Sequence, residues 1–212
     1  MAKDTIRYLE SFKRPVVLAG HLMGAKVSML VALQRPDLVE KLVVIDNAPK
    51  ADALEFRFTK DLLAMCRVEQ QLHSQGANQT SLLKEVDRIM ADYEPDPLVR
   101  MFLASNLKRA AKKSTHLERV QFRIPVVNFL KHDTLSKMGD WPSRLVSKLV
   151  FKKPVIVMRG LKSHFVTDES LQTQFPTYFS DFKVVDFDCG HWLVSEQPDK
   201  FVEKTIEFIE AD

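Results

Sequence analysis

Cysteine is scarce in this 212-residue chain: Cys66 and Cys189 are the only two. They lie far apart and form neither a metal-ligand nor a redox spacing. Two isolated thiols fit a reducing compartment. Long hydrophobic runs are missing as well, since no apolar stretch approaches the ~20 residues that span a bilayer. The N-terminus, MAKDTIRYLESF, lacks the apolar core of a secretory signal. It also lacks the Arg- and Ser-rich, acid-poor character of a transit peptide. Nor does charge of one sign dominate. Thirty-one Lys and Arg stand against 28 Asp and Glu, a net charge of +3, and the basic residues are scattered. That balance argues against a nucleic-acid partner. The pairs Lys112-Lys113 and Lys152-Lys153 read as solvated faces. No internal repeat, linker or low-complexity tract is visible.

What is present is a large apolar fraction, 45%. A chain of this length can bury one substantial core, so one domain is the default expectation. Ile6, Leu9 and Phe12 predict an apolar stripe on an N-terminal helix. Pro15 opens the continuously apolar run 16–19, which Gly20 closes, and such a run suits a strand covered on both faces. A helix is expected from about Gly24 to Gln34, carrying Met29, Leu30 and Leu33 and ending at Arg35-Pro36. A second buried strand, 41–46, stops at Asn47-Ala48-Pro49. Strand, helix and strand in about 30 residues make a βαβ unit and predict a parallel sheet.

The middle of the chain, about 49–150, reads differently. Amphipathic stretches at about 53–71, 79–92 and 97–112 are separated by Gly76-Ala77-Asn78 and by Pro95 and Pro97, with no convincing strand. This predicts a helical insertion associated with the sheet. The sheet pattern returns at 154–158 and 183–187, with a short helix at about 170–175 between them. A closing helix over 199–209 is expected to carry Val202, Ile206 and Ile209 on one face. The fold class is therefore α/β, a parallel sheet with a helical cap.

The chemistry-bearing pattern sits at the first strand-to-helix junction, Gly20-His21-Leu22-Met23-Gly24. Gly-x-x-x-Gly in that setting matches the shape of a nucleophile elbow. Glycine is expected at both flanks because a Cβ there would strike neighbouring chain. The apex residue is held in strain, and the amide after it, that of Met23, can bind an oxyanion at the helix N-terminus. A triad on such a fold needs an acid at a strand end and a histidine after the last strand, in that chain order. Asp46 and His191 occupy those places. Asp46 also reads as a strand-end turn residue, and His191 as a satisfied loop histidine. Asp168, after the third sheet strand, is the rival acid. His21 reads as packing or as a local hydrogen-bond donor. His73, His116, His132 and His164 show no paired spacing, and Asp133 and Asp140 read as loop residues.

The stretch GHLMGAKVSMLVALQRPDLVEKLVVIDNAPK closely resembles the mitochondrial abhydrolase-domain proteins, and especially the yeast ethanol acetyltransferases, which are α/β-hydrolases. Met138-Gly139-Asp140-Trp141-Pro142, Arg159-Gly160-Leu161-Lys162-Ser163 and Gly190-His191-Trp192 extend the resemblance. It implies esterase, thioesterase or alcohol acetyltransferase chemistry, with ethyl acetate made from acetyl-CoA and ethanol. It also implies a small ester, thioester or alcohol substrate, no bound cofactor beyond acetyl-CoA as acyl donor, and Asp46 and His191 as acid and base. Mitochondrial residence follows from the same resemblance, while the missing presequence leaves the cytoplasm open.

Two departures qualify this. The position of the catalytic serine is Leu22, which has no nucleophile and no proton to give. The strands that precede the elbow in the family, with their oxyanion loop, have no counterpart in this sequence. That predicts an N-terminally truncated, impaired or inactive domain with the 16–19 strand left as an apolar edge. A binding protein on a hydrolase scaffold, or a degenerate fragment, is the alternative.

Overall fold

A computed structural model describes residues 1–74, 79–108, 118–131 and 134–211. The sequence features at His116, His132, Asp133, Lys112-Lys113 and Gly76-Ala77-Asn78 lie outside the described residues. Along the chain run α1 (Ala2–Leu9), β1 (Val16–His21), α2 (Met23–Gln34), β2 (Val39–Ile45), α3 (Leu54–Gln71), β3 (His73–Ser74), α4 (Gln79–Ala91), α5 (Pro97–Ala104), β4 (Glu118–Arg119), α6 (Val126–Lys131), α7 (Thr134–Gly139) and α8 (Ser143–Val146). After these come β5 (Val155–Gly160), a π-helical turn at Ser170–Gln174, α9 (Phe175–Tyr178), β6 (Phe182–Phe187), α10 (Leu193–Glu196) and α11 (Pro198–Glu210).

The described residues fall into two compact units, 1–51 with 140–212, and 52–139. The first contains a parallel sheet in the order β1-β2-β5-β6. The helical insertion is therefore shorter than the expected 49–150: residues 140–150 pack with the sheet unit, where Trp141 and Val146 join its main core. Val-rich β2 and β5 are central and buried, as continuous apolar strands of a parallel sheet should be. β1 lies at the sheet edge among the described residues, as expected for the 16–19 strand, but neither it nor β6 shows the full burial expected of an apolar run. β1 is half-buried and β6 is largely exposed, because each has a neighbour on only one side among the described residues. β1 also runs on through Gly20 and His21, which pair with Val44 and Ile45.

One sheet face packs under α2, which is buried almost all round through Ala25, Met29, Val31, Ala32 and Leu33. At the N-terminus Leu9 is buried and Ile6 packs on the core, but Phe12 lies past the end of α1 and is exposed. The other sheet face packs on α11 through Phe201 and Phe208. Val202, Ile206 and Ile209 do share a face of α11, but it is the exposed one, at 52, 48 and 44% accessibility. Lys41 of β2 donates to the carbonyls of Phe208, Ile209 and Ala211, placing a cation where the helix leaves acceptors unpaired.

The second unit is helical apart from the antiparallel pair β3–β4, which the sequence did not signal. Met65, Val68, Val86 and Met90 are buried in it. α5 begins under an Asp96 cap that accepts from the Leu98 amide at 2.8 Å, with Pro97 in the first turn. It stops at Ala104, well short of the expected 112, as Ser105 takes the C-cap and Leu107 turns to bridge Phe122. The Asp52 amide donates to Gly139 O at 2.8 Å, tying the two ends of the unit together.

Candidate active site

Leu22 stands between β1 and α2 at φ 51° and ψ −113°. That backbone region is costly for a residue with a Cβ, on the order of 1–3 kcal/mol. Hydrogen bonds hold it there from three sides. The Leu22 amide donates to Ile45 O at 3.2 Å, and its carbonyl accepts from Ala25 N at 3.1 Å and Lys26 N at 3.3 Å. The same carbonyl accepts from Asn47 Nδ2 at 2.7 Å. Gly20 makes the turn possible: a Cβ there would lie 2.3 Å from Gly24 O and 2.6 Å from Ser28 Oγ. The expectation for the second glycine fails, because a Cβ on Gly24 would meet nothing within 4 Å. The close approach is made by the Gly24 backbone, not by the space around its α-carbon. Met23 opens α2, so its amide is among the first-turn donors that no helical carbonyl satisfies.

Asp46 follows β2, also at positive φ, 45°, and is fully buried. Its amide donates to Met158 O at 2.9 Å. Its Oδ1 accepts from the Gly160 amide at 3.2 Å and its Oδ2 from His191 Nδ1–H at 2.6 Å. The structure thus brings Asp46 and His191 together from residues 145 apart in the chain. With Nδ1 protonated, Nε2 of His191 carries the free lone pair. That atom is buried without a hydrogen-bond partner among the described residues. The His21 ring, from the residue before Leu22, stacks on His191 at 4.4 Å, and its Nε2–H donates to His191 O at 3.1 Å. Burial, and then the charge that His191 can carry, hold the His21 imidazole below its ordinary value.

Asp168 is placed elsewhere. It is exposed and paired with Arg159, whose guanidinium also grips Asp186 through Nε at 2.7 Å and Nη2 at 2.9 Å. Among the described residues, neither Ser28 nor Cys189 replaces a serine at the apex. Ser28 Oγ is buried and donates to Ala25 O at 3.0 Å. Cys189 is buried, and burial pushes its thiol up, which works against the nucleophilic thiolate. No group of three or more His, Cys, Asp or Glu among the described residues is arranged to hold a metal ion. No helix among them is long and apolar enough to cross a membrane. A cleft of about 370 Å³ beside Lys50, Trp141 and Tyr178 is lined by none of Leu22, Asp46 and His191.

Sequence reasoning missed two side chains that shape this site. Asn47 clamps the elbow carbonyl, and its only sequence signal was its place next to Asp46. Glu196 accepts from the Gly190 amide at 3.0 Å and the Trp192 amide at 3.2 Å, on either side of His191, with no sequence signal beyond proximity.

A parallel sheet, a strained strand-to-helix apex and a carboxylate-bound histidine after the last strand define the class of the α/β-hydrolases. The profile described as alpha/beta hydrolase fold matches residues 11–198. The chain belongs to that family. It is 36% identical to an abhydrolase domain-containing protein of Schizosaccharomyces pombe, over 99% of this chain and 73% of that protein. It is 29% identical to a probable alcohol acetyltransferase of Saccharomyces cerevisiae, over 92% of this chain and 56% of the relative. For ethanol acetyltransferase 1 of Wickerhamomyces anomalus the figures are 26%, 100% and 56%. The chain therefore spans little more than half the length of these acetyltransferases. A marine microorganism esterase shares the fold with a TM-score of 0.79 at 24% identity, over 98% of this chain and 75% of that one.

Proposed function

We propose that this chain carries the acyl-transfer site of the alcohol acetyltransferase branch of the family, with Leu22 in the place of its nucleophile. The observation that carries the reading is the 2.6 Å bond from His191 Nδ1–H to a fully buried Asp46 beside a strained elbow apex. That bond orients the ring so that Nε2 can take and return a proton. The acyl donor would be a thioester such as acetyl-CoA and the acceptor ethanol or water. With a hydroxyl at the apex, its proton would pass to His191 Nε2 as the oxygen attacks the acyl carbon. The oxyanion would lie at the Met23 amide, and the leaving thiolate would recover the proton. A second acceptor, alcohol or water, would then release the acyl group by the same steps reversed.

Leu22 closes that covalent route. Triad enzymes stripped of one member keep roughly 10³–10⁴-fold catalysis over water from binding and the oxyanion hole. As it stands the chain binds ester or thioester and turns it over only at that residual level. Mitochondrial residence belongs to the same proposal, by analogy with the relatives. Purified chain and its Leu22→Ser variant are to be assayed for acetyl-CoA:ethanol transfer and ester hydrolysis, and exposed to a fluorophosphonate. Labelling and turnover confined to the serine variant support the reading. Labelling of the parent chain, or equal turnover in both, overturns it.

A further inference from the structure

We infer that Glu196 is a positioning residue for His191, an inference that rests on the acid–base reading of the Asp46–His191 pair. The loop that presents His191 has almost no secondary structure to hold it, since β6 ends at Phe187 and α10 begins at Leu193. Backbone bonds tie its start to the end of β5, where the Lys162 amide donates to Cys189 O at 2.9 Å, but around His191 itself side chains take the amides. Glu196 Oε2 accepts from the Gly190 amide and Oε1 from the Trp192 amide, so the two oxygens of one carboxylate take the donors on both sides of His191. Hydrogen bonds to an ionised acceptor are roughly twice as strong as neutral ones. Glu196 thus folds back onto the N-terminus of its own one-turn helix, much as the second half of a capping box does.

The clamp closes on the acid as well as on the base. Gly190 sits under Glu196: a Cβ there would come within 3.1 Å of Oε1, a tight contact from which the carboxylate would have to give by a few tenths of an ångström. The Gly190 carbonyl in turn lies 2.3 Å from where a Cβ on Gly160 would be. The Gly160 amide donates to Asp46 Oδ1, and Asp46 Oδ2 accepts from His191. Glu196, Gly190, Gly160, Asp46 and His191 therefore form one ring of contacts. A bond of 2.6 Å between Nδ1 and Oδ2 tolerates little movement at either end. Glu196 is exposed and acts on the ring of His191 only through the loop backbone. Removing its carboxylate frees the loop, lengthens the Nδ1–H bond to Asp46 and lets the imidazole exchange tautomers.

The test uses the chain as it stands, labelled with ¹⁵N in its histidines, and reads the imidazole tautomer of His191 and the solvent exchange of its Nδ1 proton by NMR. The parent is expected to hold a single Nδ1–H tautomer, which Asp46→Asn abolishes. In Glu196→Ala the Nδ1 proton exchanges at least tenfold faster and the tautomers mix, with the melting temperature within a few degrees of the parent. Glu196→Gln, which keeps one acceptor oxygen but turns a donor toward the second amide, gives a smaller change in the same direction and decides the matter if the alanine variant does not fold. Tautomer and exchange unchanged from the parent in a folded Glu196 variant overturn the positioning role alone. A parent without a fixed Nδ1–H tautomer overturns the Asp46–His191 reading, and the inference with it.

Discussion

The elbow at Leu22 and the loop at His191 meet from opposite ends of the chain, and they are built by different means. The elbow is a product of backbone. It needs Gly20, whose missing Cβ admits the Gly24 carbonyl, and amide–carbonyl bonds from Leu22 to Ile45, Ala25 and Lys26. Asn47 adds a side-chain bond to the apex carbonyl. The His191 loop leans more on side chains: beyond backbone bonds such as Lys162 N to Cys189 O, Glu196 holds two amides, His21 a carbonyl and Asp46 the ring. A turn fixed by its backbone keeps its shape whatever stands at its apex, so leucine can stand there without disrupting it. A loop that leans on side chains has less such tolerance. On the proposed reading, the half that lacks its nucleophile is the structurally robust one, and the half that keeps its acid–base pair leans more on side chains.

The largest effect that sharpens this contrast is on activity. If elbow shape does not depend on the apex side chain, Leu22→Ser restores a nucleophile to a turn already formed. Turnover should rise by about 10³-fold or more, given what single triad members contribute. Adding His191→Gln to the serine variant should return it to the parent level. A serine variant that is folded but no faster than the parent would mean that the elbow and the His191 loop do not present their groups to one another.

The next effect is on stability. Gly20→Ala drives a Cβ to 2.3 Å from the Gly24 carbonyl oxygen, a backbone atom that cannot rotate away. Overpacking of this kind costs about 3 kcal/mol, at the upper end of its usual range. Gly24→Ala is the internal control. Its Cβ meets open space, and alanine inside a helix is favoured over glycine by up to about 1 kcal/mol. Chemical denaturation of the two variants should move in opposite directions. Equal losses would show that the elbow depends on both glycines after all.

That second glycine illustrates what the sequence could and could not tell. Continuous apolar runs revealed β2 and β5, and Gly-x-x-x-Gly between a strand and a helix located the turn, because local physics governs both. Asp46 and His191 were legible from chain order and resemblance, and the structure brings them into contact. Other features depend on contacts that no local pattern encodes. An apolar run does not say whether a strand is central or, like β6, at an edge. Periodicity grouped Val202, Ile206 and Ile209 correctly, but α11 carries a second apolar set, Phe201 and Phe208, and the aromatic set is the one that packs. Glu196 and Asn47 act on backbone groups of residues that only tertiary folding defines.

The smallest predicted effect concerns the residue that joins the two halves. His21 belongs to the elbow by sequence and to the His191 loop by contact, stacking on the ring and donating to its carbonyl. Burial, then the charge of His191, keep its folded value below 6.5, although the bond to the His191 carbonyl and the charge of Asp46 pull the other way. The unfolded chain therefore binds a proton at His21 more readily than the folded one. Stability from this residue is complete above pH 6.5 and falls as the pH drops from there toward the folded value. His21→Gln keeps a donor within reach of the carbonyl but cannot take up a proton. Its melting temperature should therefore fall less steeply than the parent's between pH 7 and pH 5, with the two curves parallel above pH 7. Parallel curves throughout would mean that the stacked pair shares its proton as readily when folded as when unfolded, and that side chains hold the His191 loop without any electrostatic cost to His21.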